Sequence, residues 1–214
     1  MKKSSSHSSN NRRHKATGRA TRSRSHGGRL SPEWVKNFFA EMLAVERGGI
    51  QLYQRALDEL AHENLRSKLE DFHRETERHV GLCEQLFEAA GGDEGTTSPG
   101  AEAAQHKAEG LLTAEVPENM ADVNNIENLV LAETKDHWNW ETLGSLMGKL
   151  ENGELKKLAT GAVREVRRQE TDHVAWAQKT LTQLALEAAQ QTDQMDEERS
   201  GDEEARDEEA EEFD

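Results

Sequence analysis

The 214-residue chain contains a single cysteine, Cys83, only three prolines, and 5% aromatic residues. One cysteine cannot form an intrachain disulfide, and it excludes zinc sites built from CxxC pairs. Long apolar runs are also missing, so no segment approaches the ~18 apolar residues that a membrane-spanning helix needs. The first residues lack the apolar core of a secretory signal. We therefore expect a cytoplasmic protein that makes no membrane contact.

The charge of the chain is distributed unevenly around a net value of −15. Residues 1–30 hold nine Lys/Arg and no Asp or Glu, whereas residues 191–214 hold thirteen Asp/Glu and two Arg. Both segments are poor in large apolar side chains, so we predict a disordered basic arm and a disordered acidic tail around a domain at 31–190. Contacts between the arm and DNA phosphates would be weak and independent of base sequence.

Strand signals are weak, whereas apolar residues recur at the spacing of three and four that is typical of helices. The predicted long helices cover 32–60, 64–90, 122–149 and 154–190. A shorter helix is predicted near Gly100–Leu112, between the second and third of these. Short links join the first pair and the last pair, which predicts two antiparallel hairpins and a long crossover. The fold class is therefore all-α, an antiparallel four-helix bundle with ferritin-like connectivity.

Acidic residues and histidines interrupt the apolar stripes of all four long helices. A buried carboxylate without a partner costs several kcal/mol, on the order given for a desolvated ion. Several carboxylates and histidines in one core are explained if they surround a cation. The stripe on the third long helix is predicted to contain Ile126, Val130, Glu133, His137, Trp140, Gly144 and Met147.

The residue numbering predicts that these side chains meet. In an antiparallel hairpin, residues equally far from the turn lie at one level. Glu46 and His79 are equally far from the middle of the first turn, and Glu133 and His173 are equally far from the middle of the second. The two hairpins therefore bring one glutamate and one histidine each to a common depth.

This pattern resembles the ferritin-like di-iron superfamily, which includes ferritins, bacterioferritins, rubrerythrins and stress-associated relatives. The superfamily places one Glu on the first and third helices and Glu-x-x-His on the second and fourth. Glu46, Glu133 and the segment Glu170-Thr-Asp-His173 match that pattern, and the resemblance covers residues 31–190. The second helix departs from it, because Thr76 stands three residues before His79.

Two alternatives exist for the missing carboxylate on the second helix. Glu75 lies four residues before His79, within one helical turn but rotated by about 100° from Thr76. The segment Glu70-Asp-Phe-His73 has the expected spacing, but it lies close to the first turn and Glu70 points toward solvent. We therefore predict that Glu75 and His79 belong to the site.

The resemblance implies two iron ions per site, and the same ligand types are compatible with Mn or Zn. Tyr53 occupies the position at which ferritins often carry a tyrosine, and the resemblance implies a redox role for it. The implied function is oxidation of Fe(II) or reduction of oxygen or peroxide in iron or oxidative-stress handling, in a homodimer. The alternative is a non-catalytic, stress-associated helical protein that acts through its charged tails, with a degenerate metal site. The predicted metal ligands are Glu46, Glu75, His79, Glu133, His137, Glu170 and His173.

Overall fold

The computed structural model describes residues 29–211, and it describes side chains for residues 29–190. No strand occurs in this part of the chain, which confirms the all-α class. The five α-helices are α1 Pro32–Asp58, α2 Arg66–Ala89, α3 Pro99–Leu112, α4 Ala121–Leu146 and α5 Gly153–Glu211. Short 3₁₀ turns at Glu63–Leu65, Glu118–Met120 and Met147–Lys149 flank α2 and α4.

Two serine-proline pairs determine where helices begin. The Ser31 hydroxyl accepts a hydrogen bond from the Trp34 backbone N–H at the start of α1. Ser98 does the same for the Ala101 backbone N–H at the start of α3, at 3.1 Å. A proline follows each serine at the first helical position, where its missing N–H removes no intrahelical bond. Just past the end of α2, Gly91 adopts a φ of 84°, in the left-handed region that glycine favours.

The long helices pack with antiparallel neighbours. α1 packs against α2, α3 and α4, and α5 packs against α4 and α2. Glu46 of α1 contacts Trp140 of α4, while Glu59, directly after the end of α1, contacts Asn125 nearer the start of α4. α1 and α4 therefore run in opposite directions. The contacts between α2 and α5 show that these two helices are antiparallel as well. The chain must cross the length of the molecule between α2 and α4, and α3 lies in that crossover.

The crossover helix α3 lies unusually close to α1. A Cβ atom added at Gly48 would lie 2.8 Å from the Ala108 Cβ, so glycine permits this approach. The Arg55 guanidinium then donates hydrogen bonds to three backbone carbonyl oxygens at the C-terminal end of α3 and just beyond it. Carbonyl groups at a helix end lack intrahelical partners, so these bonds hold the end of α3 on α1.

Two apolar clusters fill the interior. The first contains Val35, Phe39, Ala40, Met42, Leu43, Cys83, Leu86, Phe87, Trp140, Leu143, Leu150, Leu155, Ala159, Ala162, Val163 and Val166. The second contains Leu52, Tyr53, Ala56, Leu69, Phe72, Ile126, Leu129 and Leu184. On each of the four long helices, the stretch between the two clusters carries buried acidic or histidine side chains. A polar layer drawn from all four helices therefore separates two apolar regions.

The charged ends of the chain differ in what the structure describes. The backbone of residues 191–211 continues α5, so the prediction of a disordered acidic tail is not confirmed. Seven of the 21 residues in this segment are Glu, which has high helix propensity. Residues 1–28 lie outside the described residues, so the basic arm and its DNA binding stay predictions. No helix in the described range combines the length and the apolar character that crossing a membrane demands.

Candidate metal centre

Six buried side chains from four helices converge in the polar layer. Two groups have ligand atoms that all lie within 4.8 Å of one another. The first group is Glu46 from α1, His79 from α2, Asp136 from α4 and Glu170 from α5. The second group is Glu133 from α4 with Glu170 and His173 from α5. Glu170 belongs to both groups, so it lies where the two join.

The two glutamate-histidine pairs meet as the residue spacing predicts. His79 Nδ1 lies 3.7 Å from Glu46 Oε2 across α1 and α2. His173 Nδ1 lies 3.1 Å from Glu133 Oε2 across α4 and α5. The two imidazole rings are stacked, with centroids 5.9 Å apart. Each hairpin thus contributes one carboxylate and one imidazole to the same layer.

Glu170 lies between the two histidines and has no hydrogen-bond partner for either carboxylate oxygen. Its Oε1 is 3.0 Å from His79 Nδ1 and 3.7 Å from His173 Nδ1. The shorter approach lacks the angles of a hydrogen bond, so His79 Nδ1 also has no partner. Glu46 Oε2 and Asp136 Oδ1 are buried without partners as well. Buried polar atoms normally have partners, so this concentration of free oxygen and nitrogen atoms suits a cation.

Glu46, Asp136 and Glu170 resist ionisation. Burial, followed by the charge of Asp136, raises the pKa of Glu46 and of Glu170 well above the usual range. Burial and the charge of Glu133 raise the pKa of Asp136 to about 7. Each group is disfavoured as an anion because it is desolvated beside other anions. A bound cation would remove that penalty.

The pKa values of the two histidines are shifted in opposite directions. Burial lowers the pKa of His79 to about 4, so this imidazole is neutral at pH 7. Burial also acts to lower the pKa of His173, but hydrogen bonds to Glu133 and Glu75 outweigh it and raise the pKa overall. His173 therefore takes up a proton more readily than His79, and each of its ring nitrogens faces a carboxylate.

The second-helix positions are resolved by the structure. Glu75 Oε2 accepts a hydrogen bond from His173 Nε2 at 2.8 Å, so Glu75 contacts the nitrogen opposite the one that faces Glu133. Glu75 is in neither ligand group. The buried Thr76 hydroxyl donates to the Phe72 carbonyl oxygen at 3.0 Å and leaves the layer without a carboxylate from α2. Glu70 is exposed, as predicted.

The remaining predicted residues lie beside the layer. His137 is half-buried, packs against the Trp138 ring and belongs to neither ligand group. Tyr53 is buried with its ring centroid 6.3 Å from that of His173. Burial, followed by the charge of Glu133 and a hydrogen bond to it, raises the pKa of the Tyr53 hydroxyl well above its usual range. The tyrosine therefore keeps its proton next to Glu133.

Asp136 is the ligand candidate that the sequence interpretation missed. The predicted stripe on this helix passed through Val130 and His137, whereas the buried stripe passes through Leu129 and Asp136. Both stripes share Ile126, Glu133 and Trp140, because steps of three and four from the same residue diverge by only one position. The spacing Glu133-x-x-Asp136, which places two carboxylates on one helical face, was the available signal.

Comparison with known proteins adds no relative to this description. No protein-family model, no curated protein and no solved structure matches the chain. The resemblance to the ferritin-like superfamily therefore depends on the helices and residues of the chain itself.

Proposed function

We propose that this chain is a ferritin-like di-metal protein, with iron as its metal, that oxidises Fe(II) or reduces oxygen or peroxide. One observation carries the proposal: Glu170 presents two buried oxygens without partners between His79 and His173. Free carboxylates and imidazoles in the interior of four long helices are the usual composition of a di-iron carboxylate centre. The antiparallel neighbours and the long crossover between α2 and α4 agree with ferritin-like connectivity.

The ligand groups suggest how two ions would be shared. Glu46, His79 and Asp136 would hold one ion, while Glu133 and His173 would hold the other. Glu170 would serve both, since it belongs to both groups. Carboxylate and imidazole ligands suit Fe and Mn, and they also accept Zn. In this arrangement Asp136 on α4 supplies the carboxylate that the superfamily pattern places at Thr76.

The protein contributes position, dryness and proton placement. When bound, a pair of iron ions supplies the electrons that oxygen or peroxide accepts. The Trp140 indole N–H donates to Glu46 Oε1 at 2.8 Å and fixes one carboxylate. The apolar clusters on both sides of the layer exclude water. The Tyr53 hydroxyl keeps its proton next to Glu133 and holds that carboxylate in position through a hydrogen bond.

Metal loading of the purified protein tests the proposal. The metal-free chain is titrated with Fe(II) without oxygen, desalted and analysed for iron by mass spectrometry. We expect about two Fe per chain, as in other di-iron bundles. Fe(II) oxidation is then followed with an Fe(II)-specific chelator after oxygen or peroxide is added. Glu170→Ala should lose both the stoichiometry and the oxidation, because it removes the shared carboxylate.

A surface variant controls for the charge change. Glu70→Gln removes one carboxylate from the surface of α2, where the Glu70 side chain is exposed. It should bind two Fe and oxidise them like the unmodified chain. A wild-type chain that retains no metal after loading would contradict the proposal and would support the non-catalytic alternative.

A further inference from the structure

The two histidines turn the same nitrogen toward the polar layer and the other nitrogen away from it. Nδ1 of His79 faces Glu46 and Glu170, and Nδ1 of His173 faces Glu133 and Glu170. Nε2 of His79 lies 3.1 Å from Gln169 Oε1. Nε2 of His173 lies 2.8 Å from Glu75 Oε2. Each outward nitrogen thus meets an oxygen acceptor on the seam between α2 and α5.

The two acceptors are connected, and the connection determines which way the Gln169 amide points. The Gln169 side chain also lies near the Glu75 carboxyl group and acts to lower its pKa. A carboxylate can only accept, so the Gln169 amide N–H groups must face Glu75. The amide oxygen is then left to face His79. Gln169 and Glu75 thus present neighbouring oxygen acceptors to the outward nitrogens of His79 and His173.

We propose that Glu75 and Gln169 are positioning residues that hold both histidines as Nδ1 ligands and make the two metal positions unequal. This inference rests on the proposed function, because it assigns roles around the same centre. It also changes the role of Glu75, which acts on a ligand and does not bind the metal itself.

An acceptor at Nε2 selects Nδ1 as the metal ligand because a neutral imidazole has only one nitrogen lone pair free for a metal. A neutral histidine carries a proton on one nitrogen and can bind a metal only through the other. An acceptor at Nε2 keeps the proton there and leaves Nδ1 free for the metal. A charged hydrogen-bond acceptor at Nε2 also makes Nδ1 a stronger electron-pair donor to the metal than a neutral acceptor does. His173, next to the carboxylate of Glu75, should therefore bind its ion more strongly than His79, next to the amide of Gln169.

The position of Glu75 makes the inference testable without unfolding the protein. Its side chain is 31% exposed, whereas the side chain of His173 is fully buried. Glu75→Gln keeps the shape of the side chain and removes only its charge and its strict acceptor character. The free energy of unfolding of the metal-free variant, measured with urea, verifies that the fold is retained.

Nitrogen-15 NMR of the histidine rings tests the assignment of the ligand atom. In the metal-free protein we expect His79 as the neutral form with its proton on Nε2. In the Zn(II)-loaded protein we expect Nδ1 coordination and a protected Nε2–H for both histidines. Coordination through Nε2 in either ring would overturn the proposal.

Zn(II) competition with a chelator tests the inequality of the two positions. Glu75→Gln should weaken one of the two Zn(II) affinities by roughly 10- to 100-fold, the usual cost of losing a residue that orients a metal-binding histidine. Gln169→Ala should weaken the other affinity. Glu70→Gln, which removes one exposed charge from the same helix, should leave both affinities unchanged. Unaltered affinities in Glu75→Gln would overturn the proposal.

Failure of this inference and failure of the proposed function give different results. A wild-type chain that binds no Zn(II) or Fe(II) overturns the proposed function and the ligand assignment with it. A wild-type chain that binds two ions, with affinities that do not respond to Glu75→Gln, overturns this inference and leaves the proposed function standing.

Discussion

The Trp140 indole N–H donates a hydrogen bond to Glu46 Oε1 at 2.8 Å, and this bond links α4 to α1 at the edge of the polar layer. The other oxygen of Glu46, Oε2, has no partner. The indole therefore satisfies one half of a buried carboxylate and leaves the other half directed at His79. A single donor both anchors the ligand and selects the oxygen that is free for a cation.

Replacing Trp140 with Phe removes that donor and keeps an aromatic ring in the core. Glu46 Oε1 then becomes a buried acceptor without a partner. We expect the free energy of unfolding of the metal-free protein to fall by about 1–3 kcal/mol, the usual cost of such a group. Urea denaturation measures the change. Trp138→Phe is the control, since Trp138 is 63% exposed and its replacement should change the stability by less than about 0.5 kcal/mol.

The stability of the metal-free protein should depend on pH through Asp136. The pKa of this group is about 7 in the fold, against 3.8 for an unperturbed Asp. The folded state holds the proton more tightly than the unfolded state, so its contribution to stability is present below pH 3.8 and is lost as the pH rises through about 7. Relative to Asp136→Asn, the wild-type protein should lose about 1 kcal/mol per pH unit across this window.

His79 changes the stability with pH in the direction opposite to Asp136 over part of the same pH range. Its pKa is about 4 in the fold and 6.5 when unperturbed, so its contribution to stability increases as the pH rises between these values. The comparison with Asp136→Asn at each pH removes this effect, since both proteins contain His79. Urea denaturation at pH 5, 6, 7 and 8 provides the measurement. Wild-type and Asp136→Asn curves that stay parallel would contradict the prediction.

The close approach of α3 to α1 predicts an unusual result for an alanine substitution in a helix. Alanine has the higher helix propensity, so a glycine-to-alanine change in an exposed helix should stabilise by about 0.5–1 kcal/mol. We expect that gain for Gly161→Ala in α5, where an added Cβ meets no atom within 4 Å. Gly48→Ala should instead destabilise by about 1–3 kcal/mol, because its Cβ overlaps Ala108 and overpacks the contact.

Hydrogen exchange locates the effect of Gly48→Ala. Backbone amides of α3 should lose protection in this variant, whereas those of α5 should not. Increased protection of α3, or a gain in stability equal to that of Gly161→Ala, would contradict the prediction. The contact between α1 and α3 would then accommodate the added methyl group.

Tyr53→Phe separates metal binding from reactivity. The substitution removes the hydroxyl beside Glu133 and preserves the buried ring. We expect two Fe per chain, as in the wild type, but Fe(II) oxidation slower by roughly tenfold or more, because the hydroxyl group that holds Glu133 in position is lost. The chelator assay on samples of equal iron content measures the rate. An unchanged rate would limit Tyr53 to packing against Phe72 and His173.

Much of the fold was predictable because the signals are local. Serine followed by proline marks the starts of α1 and α3, and the apolar spacing locates the long helices. The positions of the hairpin turns alone predict that Glu46 lies level with His79 and that Glu133 lies level with His173. These features depend on residues close in the chain or on a simple antiparallel register.

The details of the centre depend on rotation about each helix axis, which spacing determines poorly. On α4, buried asparagines weaken the contrast between apolar and polar faces, so Asp136 and His137 could not be distinguished. On α2, the contact of Glu75 with His173 comes from α5 and leaves no trace in the local sequence of α2. Such contacts become visible only when the helices are packed.

The polar layer separates two apolar regions, and its buried oxygens without partners lie where the proposed ion would bind. Ligand atoms from four helices can be drawn together only after those helices have assembled, so metal supply and folding become linked. In a cell short of the ion, the chain would open more often and be degraded sooner. Its abundance would then follow the availability of its own metal, without any separate sensor.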